Sequence, residues 1–165
     1  MMLGLSLSQF TLLHVVISLI QLVSGLVVVA GLIGSRVSSS WTGVYLLSAL
    51  LTSVTGFMFP FNGFLPSHAF GILSLVLLAL AMLAIYVFAL RVAWRWIFAI
   101  CVVVTVYLDA FVTVVQSFLK IPSLHAFAPT GAEPPFAIAQ GILLVIFIAL
   151  GVMAFRAFHP AARPA

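Results

Sequence analysis

The chain reaches its first charged side chain only at Arg36, after an apolar run from Phe10 to Gly34 whose most polar members are His14 and Gln21. A helix rises ~1.5 Å per residue, so roughly 20 apolar residues cross the hydrocarbon core of a bilayer. Four more stretches of the same character follow, Trp41 to Phe59, Ser67 to Leu90, Trp94 to Leu119 and Pro135 to Phe158. With 65% of its residues apolar and 5% charged, the chain cannot assemble a water-solvated surface. An all-α integral membrane bundle of about five transmembrane helices is therefore predicted, as one domain over residues 1–165.

The breaks between the runs are chemically distinct. Ser35 to Ser40 is polar, Pro60 to Pro66 holds two prolines, Arg91 to Arg95 holds two arginines, and Lys120 to Pro134 is rich in proline. All but the last are short, which makes neighbouring helices antiparallel in an up-and-down bundle without internal repeats. Arg36, Arg91, Arg95, Arg156 and Arg163 then fall on one side and Lys120 alone on the other. The positive-inside rule reads this as N-terminus outside and C-terminus cytoplasmic, with Trp41, Trp94 and Trp96 at the cytoplasmic interface. The first run lacks a preceding basic residue and a small-x-small cleavage site, and it is about ten residues too long for a signal-peptide core, so it is expected to be a membrane helix.

Several function classes are disfavoured. The formal charge of +4 comes from scattered basic residues that form no nucleic-acid-binding face. Lone Cys101 can make neither an intrachain disulfide nor a CxxC redox pair. There is no P-loop, HExxH, GxSxG or potassium-channel filter motif, and a non-enzymatic role is expected.

Polar side chains within apolar spans must meet protein partners or line a wet cavity. Thr105, Asp109, Thr113, Gln116 and Lys120 recur at steps of four, four, three and four, and so share one face of the fourth helix. His14, Ser18, Gln21 and Gly25 do the same on the first, and Ser48, Thr52 and Thr55 on the second. Convergence of these stripes predicts an outward-facing polar cavity, with His14, Gln21, Thr52, Asp109, Thr113 and Gln116 as the candidate ligand-binding residues. Ser18, Ser48 and Ser74 are read more simply, as hydroxyls bonded to carbonyls of their own helices. Asp109 is the only acidic residue within a span, ~15 Å from the end of its helix. A charged carboxylate near mid-membrane costs about 2.5–3.5 kcal/mol on insertion scales. It is either a proton- or cation-binding group or an aspartate that ties helices together through Gln21 or a threonine.

His14 and His68 begin outside-to-inside helices at similar depth, which keeps bis-histidine ligation of a b-type haem open as the lesser alternative. Two histidines near an interface also serve as polar anchors, and no metal site is expected from them with His125. The Lys120 to Pro134 segment is either an interfacial lid or a plain connector.

The segments Thr52 to Pro60, Leu65 to His68 and Ala128 to Phe136 resemble a group of small multi-span bacterial inner-membrane proteins. The resemblance implies a bacterial cytoplasmic membrane and brings no activity, cofactor or catalytic residue. Three readings follow. The first is a membrane protein that binds a small ligand, proton or ion in its cavity, as a transporter component or sensor. The others are an accessory or structural subunit of a larger complex or homo-oligomer, and a haem-binding electron carrier.

Overall fold

The computed structural model describes residues 4–60 and 66–159; Arg163 and Leu65 lie outside the described residues. Its helices are α1 (Leu7–Ile33), α2 (Ser39–Phe57), α3 (Pro66–Met82), α4 (Trp94–Lys120), α5 (Pro122–His125) and α6 (Pro134–Ala157), and no strand occurs among the described residues. A π-helical turn, Leu83–Val87, prolongs α3, and the chain then reverses through left-handed Ala89, Leu90 and Val92. Short α5 falls within the long connection that the sequence reading took as a lid or connector.

Local chemistry sets the helix starts. The Ser6 hydroxyl accepts from the Gln9 backbone N–H at 3.3 Å while the Gln9 side chain accepts from the Ser6 N–H at 3.0 Å, a capping box for α1. Ser38 caps α2 by accepting from the Trp41 N–H. At α6, Pro134 opens the helix where no backbone N–H is needed. Glu133 precedes it and accepts from the Thr130 N–H, the Thr130 hydroxyl and the Ala132 N–H.

Four segments are long and apolar enough to cross a membrane: Leu7–Ile33, His68–Val87, Trp94–Lys120 and Pro134–Ala157. Helix α2 is not among them, because serine, threonine and glycine dilute its 19 residues.

Contacting pairs run in opposite directions along neighbouring helices. His14 meets Thr55 and Gly25 meets Tyr45 between α1 and α2. Trp96 meets Phe155, Tyr107 meets Phe147 and Phe118 meets Phe136 between α4 and α6. Helices α1 to α4 close a ring in chain order, since α4 returns to pack on α1, while α6 lies outside it against α1 and α4. Within their spans 56% of the residues of α4 are buried but only 6% of those of α6, so α4 anchors the bundle and α6 leaves most of its residues exposed.

The interior divides along the bundle axis. One half is an apolar core of Val29, Leu32, Tyr45, Ala49, Leu78, Phe98 and Val102. Arg36, Arg91, Arg95 and Arg156 cluster at that end, where the Arg95 guanidinium lies 4.4 Å over the Trp96 ring. The other half holds most of the buried polar side chains, with Thr42 at the arginine end an exception. Between the halves Gly25 permits the closest approach of α1 and α4: a Cβ there would lie 2.5 Å from a Val106 methyl and 3.1 Å from the Tyr45 ring.

Gly25→Leu is accordingly expected to destabilise the bundle by about 1–3 kcal/mol or more through overpacking. Gly43→Ala, where an added Cβ meets nothing within 4 Å, is the neutral control. Unfolding of the two variants in detergent tests this, and equal midpoints would contradict the packing described.

Candidate functional site

The polar half encloses a cavity of about 130 Å³ to which all four ring helices contribute. Helix α1 supplies His14, Ser18 and Gln21, successive members of one helical face; α2 supplies Thr52, Ser53 and Phe57. Helix α3 supplies His68, Phe70 and Ser74, and α4 supplies Asp109 between Leu108 and Val112. Gly56 and Gly71 complete the wall, and at Gly71 a Cβ would come within 2.9 Å of the Phe57 ring.

At its centre the Ser18 hydroxyl donates to Asp109 Oδ1 at 2.8 Å, which ties α1 to α4. Asp109 is only 8% exposed, and its second oxygen, Oδ2, is buried with no hydrogen-bond partner. Gln21, 3% exposed, leaves Oε1 without a partner, and the buried Thr52 hydroxyl has none either. Three unpaired oxygens therefore belong to three residues that line one cavity on three helices. Such atoms cost roughly 1–3 kcal/mol each when nothing meets them.

The histidines flank this centre. His14 Nδ1 lies 2.8 Å from the Thr55 hydroxyl, which itself donates to the Leu51 carbonyl at 2.6 Å. With that proton committed, Thr55 accepts from His14, placing the imidazole proton on Nδ1. The His14 ring also meets the Phe59 edge at 5.3 Å, and the His68 ring lies 5.9 Å from Phe57.

Of the six residues expected at a ligand site, His14, Gln21, Thr52 and Asp109 line this cavity, and Thr113 and Gln116 do not. The Thr113 hydroxyl turns back to the Asp109 carbonyl at 2.9 Å. Gln116 shares the phase of Asp109, but seven residues place it ~10 Å nearer the helix end, where it is exposed. Ser48 bonds to the Val44 carbonyl of its own helix, as its sequence context predicts. Ser18 does not, and bonds across to Asp109 because the α1–α4 approach brings the carboxylate within reach. Its phase with His14 and Gln21 was the available signal. Ser53, Phe57 and Phe70 carried none. Gln140 lies apart from the cavity and donates to the Phe111 carbonyl at 3.2 Å, joining α6 to α4.

His14 and His68 thus share a cavity of about 130 Å³. His125 is exposed on α5, and among the described residues no group of three or more His, Cys, Asp or Glu is placed to hold a metal. Compared with known protein families, curated proteins and solved structures, the chain gives no match.

The hydrogen-bond pattern separates two neighbouring threonines. With no guest in the cavity, Thr52→Val removes an unpaired buried hydroxyl and is expected to leave stability unchanged or raise it, whereas Thr55→Val removes a bonded one and is expected to cost about 1 kcal/mol. Detergent unfolding of the pair decides it, and the reverse order would contradict the assignment.

Proposed function

We propose that this is a five-span bacterial inner-membrane protein, N-terminus outside, that binds a small polar guest in a cavity reached from the outer face, as a transporter component or sensor. The observation that carries this reading is the placement of the only acidic side chain of the apolar helices in a cavity where the Gln21 and Thr52 oxygens are also buried and unpaired. A pure packing role for Asp109 would leave those oxygens costly and without purpose. Five spans are supported by α2, which closes the ring between α1 and α3 and whose 19 residues reach ~28 Å. The orientation is supported by the arginines gathered at the end opposite the cavity. The bacterial membrane rests on the sequence resemblance.

The second reading, an accessory subunit in a larger complex or a homo-oligomer, is favoured by α6. Its outer face, including Ile138, Ile142, Val145 and Ile148, is exposed. Copurification of a stoichiometric partner would support it.

Thiol labelling tests the leading reading. In a Cys101→Ser background, Ser18→Cys and Thr52→Cys are expected to react with a small, charged, membrane-impermeant methanethiosulfonate added outside cells. Val23→Cys, at a position 58% exposed on the apolar surface, is expected to stay unreactive. Labelling from the cytoplasmic side alone would overturn the orientation, and no labelling at either cavity position would overturn the cavity reading.

A further inference from the structure

The chemistry of the cavity selects among its guests. Each unpaired buried side-chain atom of its lining is an oxygen, and two of the three, Asp109 Oδ2 and Gln21 Oε1, accept hydrogen bonds or coordinate when the carboxyl is ionised. An anion or a carbonyl-bearing ligand would meet those atoms with like polarity. The guest must present positive charge or donor hydrogens.

Charge narrows this further. Among the described residues Asp109 is the only carboxylate in the lining, and no lysine or arginine lines the cavity. In a low-dielectric interior one negative charge is balanced by one positive charge, and a divalent ion would leave an uncompensated charge behind. Divalent hard cations are generally held by several carboxylates or carbonyls together, whereas softer metals draw on thiolate and imidazole. Cys101 is not in the lining, and among the described residues no three His, Cys, Asp or Glu side chains are placed together to hold a metal ion. A proton on Asp109 would balance the charge but leave Gln21 Oε1 and the Thr52 hydroxyl unmet. A cation together with water would satisfy all three, and about 130 Å³ has room for both.

We propose that the occupant is a single monovalent cation of sodium, potassium or ammonium size, held by the Asp109 carboxylate with the Gln21 amide oxygen and the Thr52 hydroxyl. Ser18 holds the carboxylate in place through Oδ1 and leaves Oδ2 for the ion. This assignment rests on the cavity reading above and names the guest of that same site. Oxygens drawn from α1, α2 and α4 would make the ion a cross-link of the ring, so binding stabilises the fold.

The test is thermal unfolding of the purified full chain in detergent at mildly alkaline pH. Sodium, potassium and ammonium chloride are titrated at constant ionic strength against N-methylglucamine chloride, whose cation is too large for the cavity. At least one small cation is expected to raise the midpoint saturably. The effect is expected to vanish in Asp109→Asn and to need about tenfold more salt in Gln21→Leu. Absence of any small-cation effect in the wild type overturns the proposal, as does an equal effect in Asp109→Asn or a stronger saturable effect of magnesium or calcium. Should Asp109→Asn not fold, the wild-type titration and Gln21→Leu decide the matter. Cavity thiols that label normally while small cations have no effect would leave the cavity reading standing and sink the cation alone. Thiols that never label would sink both.

Discussion

The hydrogen bond between the Ser18 hydroxyl and the Asp109 carboxylate, 2.8 Å long, is the contact on which this bundle turns. A carboxylate carried into a membrane by an apolar helix has no water at lipid depth, and its desolvation has to be offset inside the protein. Turning Asp109 inward points the polar face of α4 at α1, and the glycine at position 25 lets the two helices close to within contact of Val106. Tyr45, at the same level, seals α2 against both, its hydroxyl 3.5 Å from the Val102 carbonyl. The ring is completed by α3, and α6 is left to ride on the outside of α1 and α4.

That inward turn has a consequence along the axis. Below Gly25 the ring can be filled with close-packed apolar side chains, and it is: Leu32, Tyr45, Phe98 and Val102 are fully buried there. Around Asp109 the same filling would strand a carboxylate against hydrocarbon, and the ring instead stays open round hydroxyls, an amide and two imidazoles. Most hydroxyls of the bundle avoid the problem by bonding to their own helix, as Ser24, Ser48, Thr105 and Ser117 do. Thr42 and Gln140 each leave one buried oxygen unmet elsewhere, but Gln21, Thr52 and Asp109 bring three together round one space, and that sets the cavity apart from ordinary membrane packing.

The helical architecture was legible because apolar run length and charge depletion act locally, and the breaks at Ser35, Arg91 and Pro134 fall beside observed helix ends. Helix α2 was the weak point, since its serines and threonines lower its hydropathy while Thr42, Ser48, Ser53 and Thr55 are buried against the rest of the bundle. The α1 and α4 stripes were readable from helical phase, and phase correctly put His14, Gln21, Thr52 and Asp109 round one space. It could not say where along the axis that space ends, so Gln116 was drawn in from beyond its mouth. Nor does phase show whether a hydroxyl reaches across or back, a matter of ångströms between helices, which is why Thr113 and Ser18 exchanged roles. The π-helical end of α3 and short α5 depend on tertiary packing and left no periodic trace.

A double-mutant cycle on Ser18 and Asp109 tests the account at its centre. Reversible unfolding in mixed micelles is measured for wild type, Ser18→Ala, Asp109→Ala and the double variant. If the two side chains meet as described, the single effects are non-additive, with a coupling of about 0.6–2 kcal/mol, the range of interhelical hydrogen bonds in membranes. Additivity within about 0.3 kcal/mol would mean that α1 and α4 are not joined at Asp109, and the ring with its cavity would have to be abandoned.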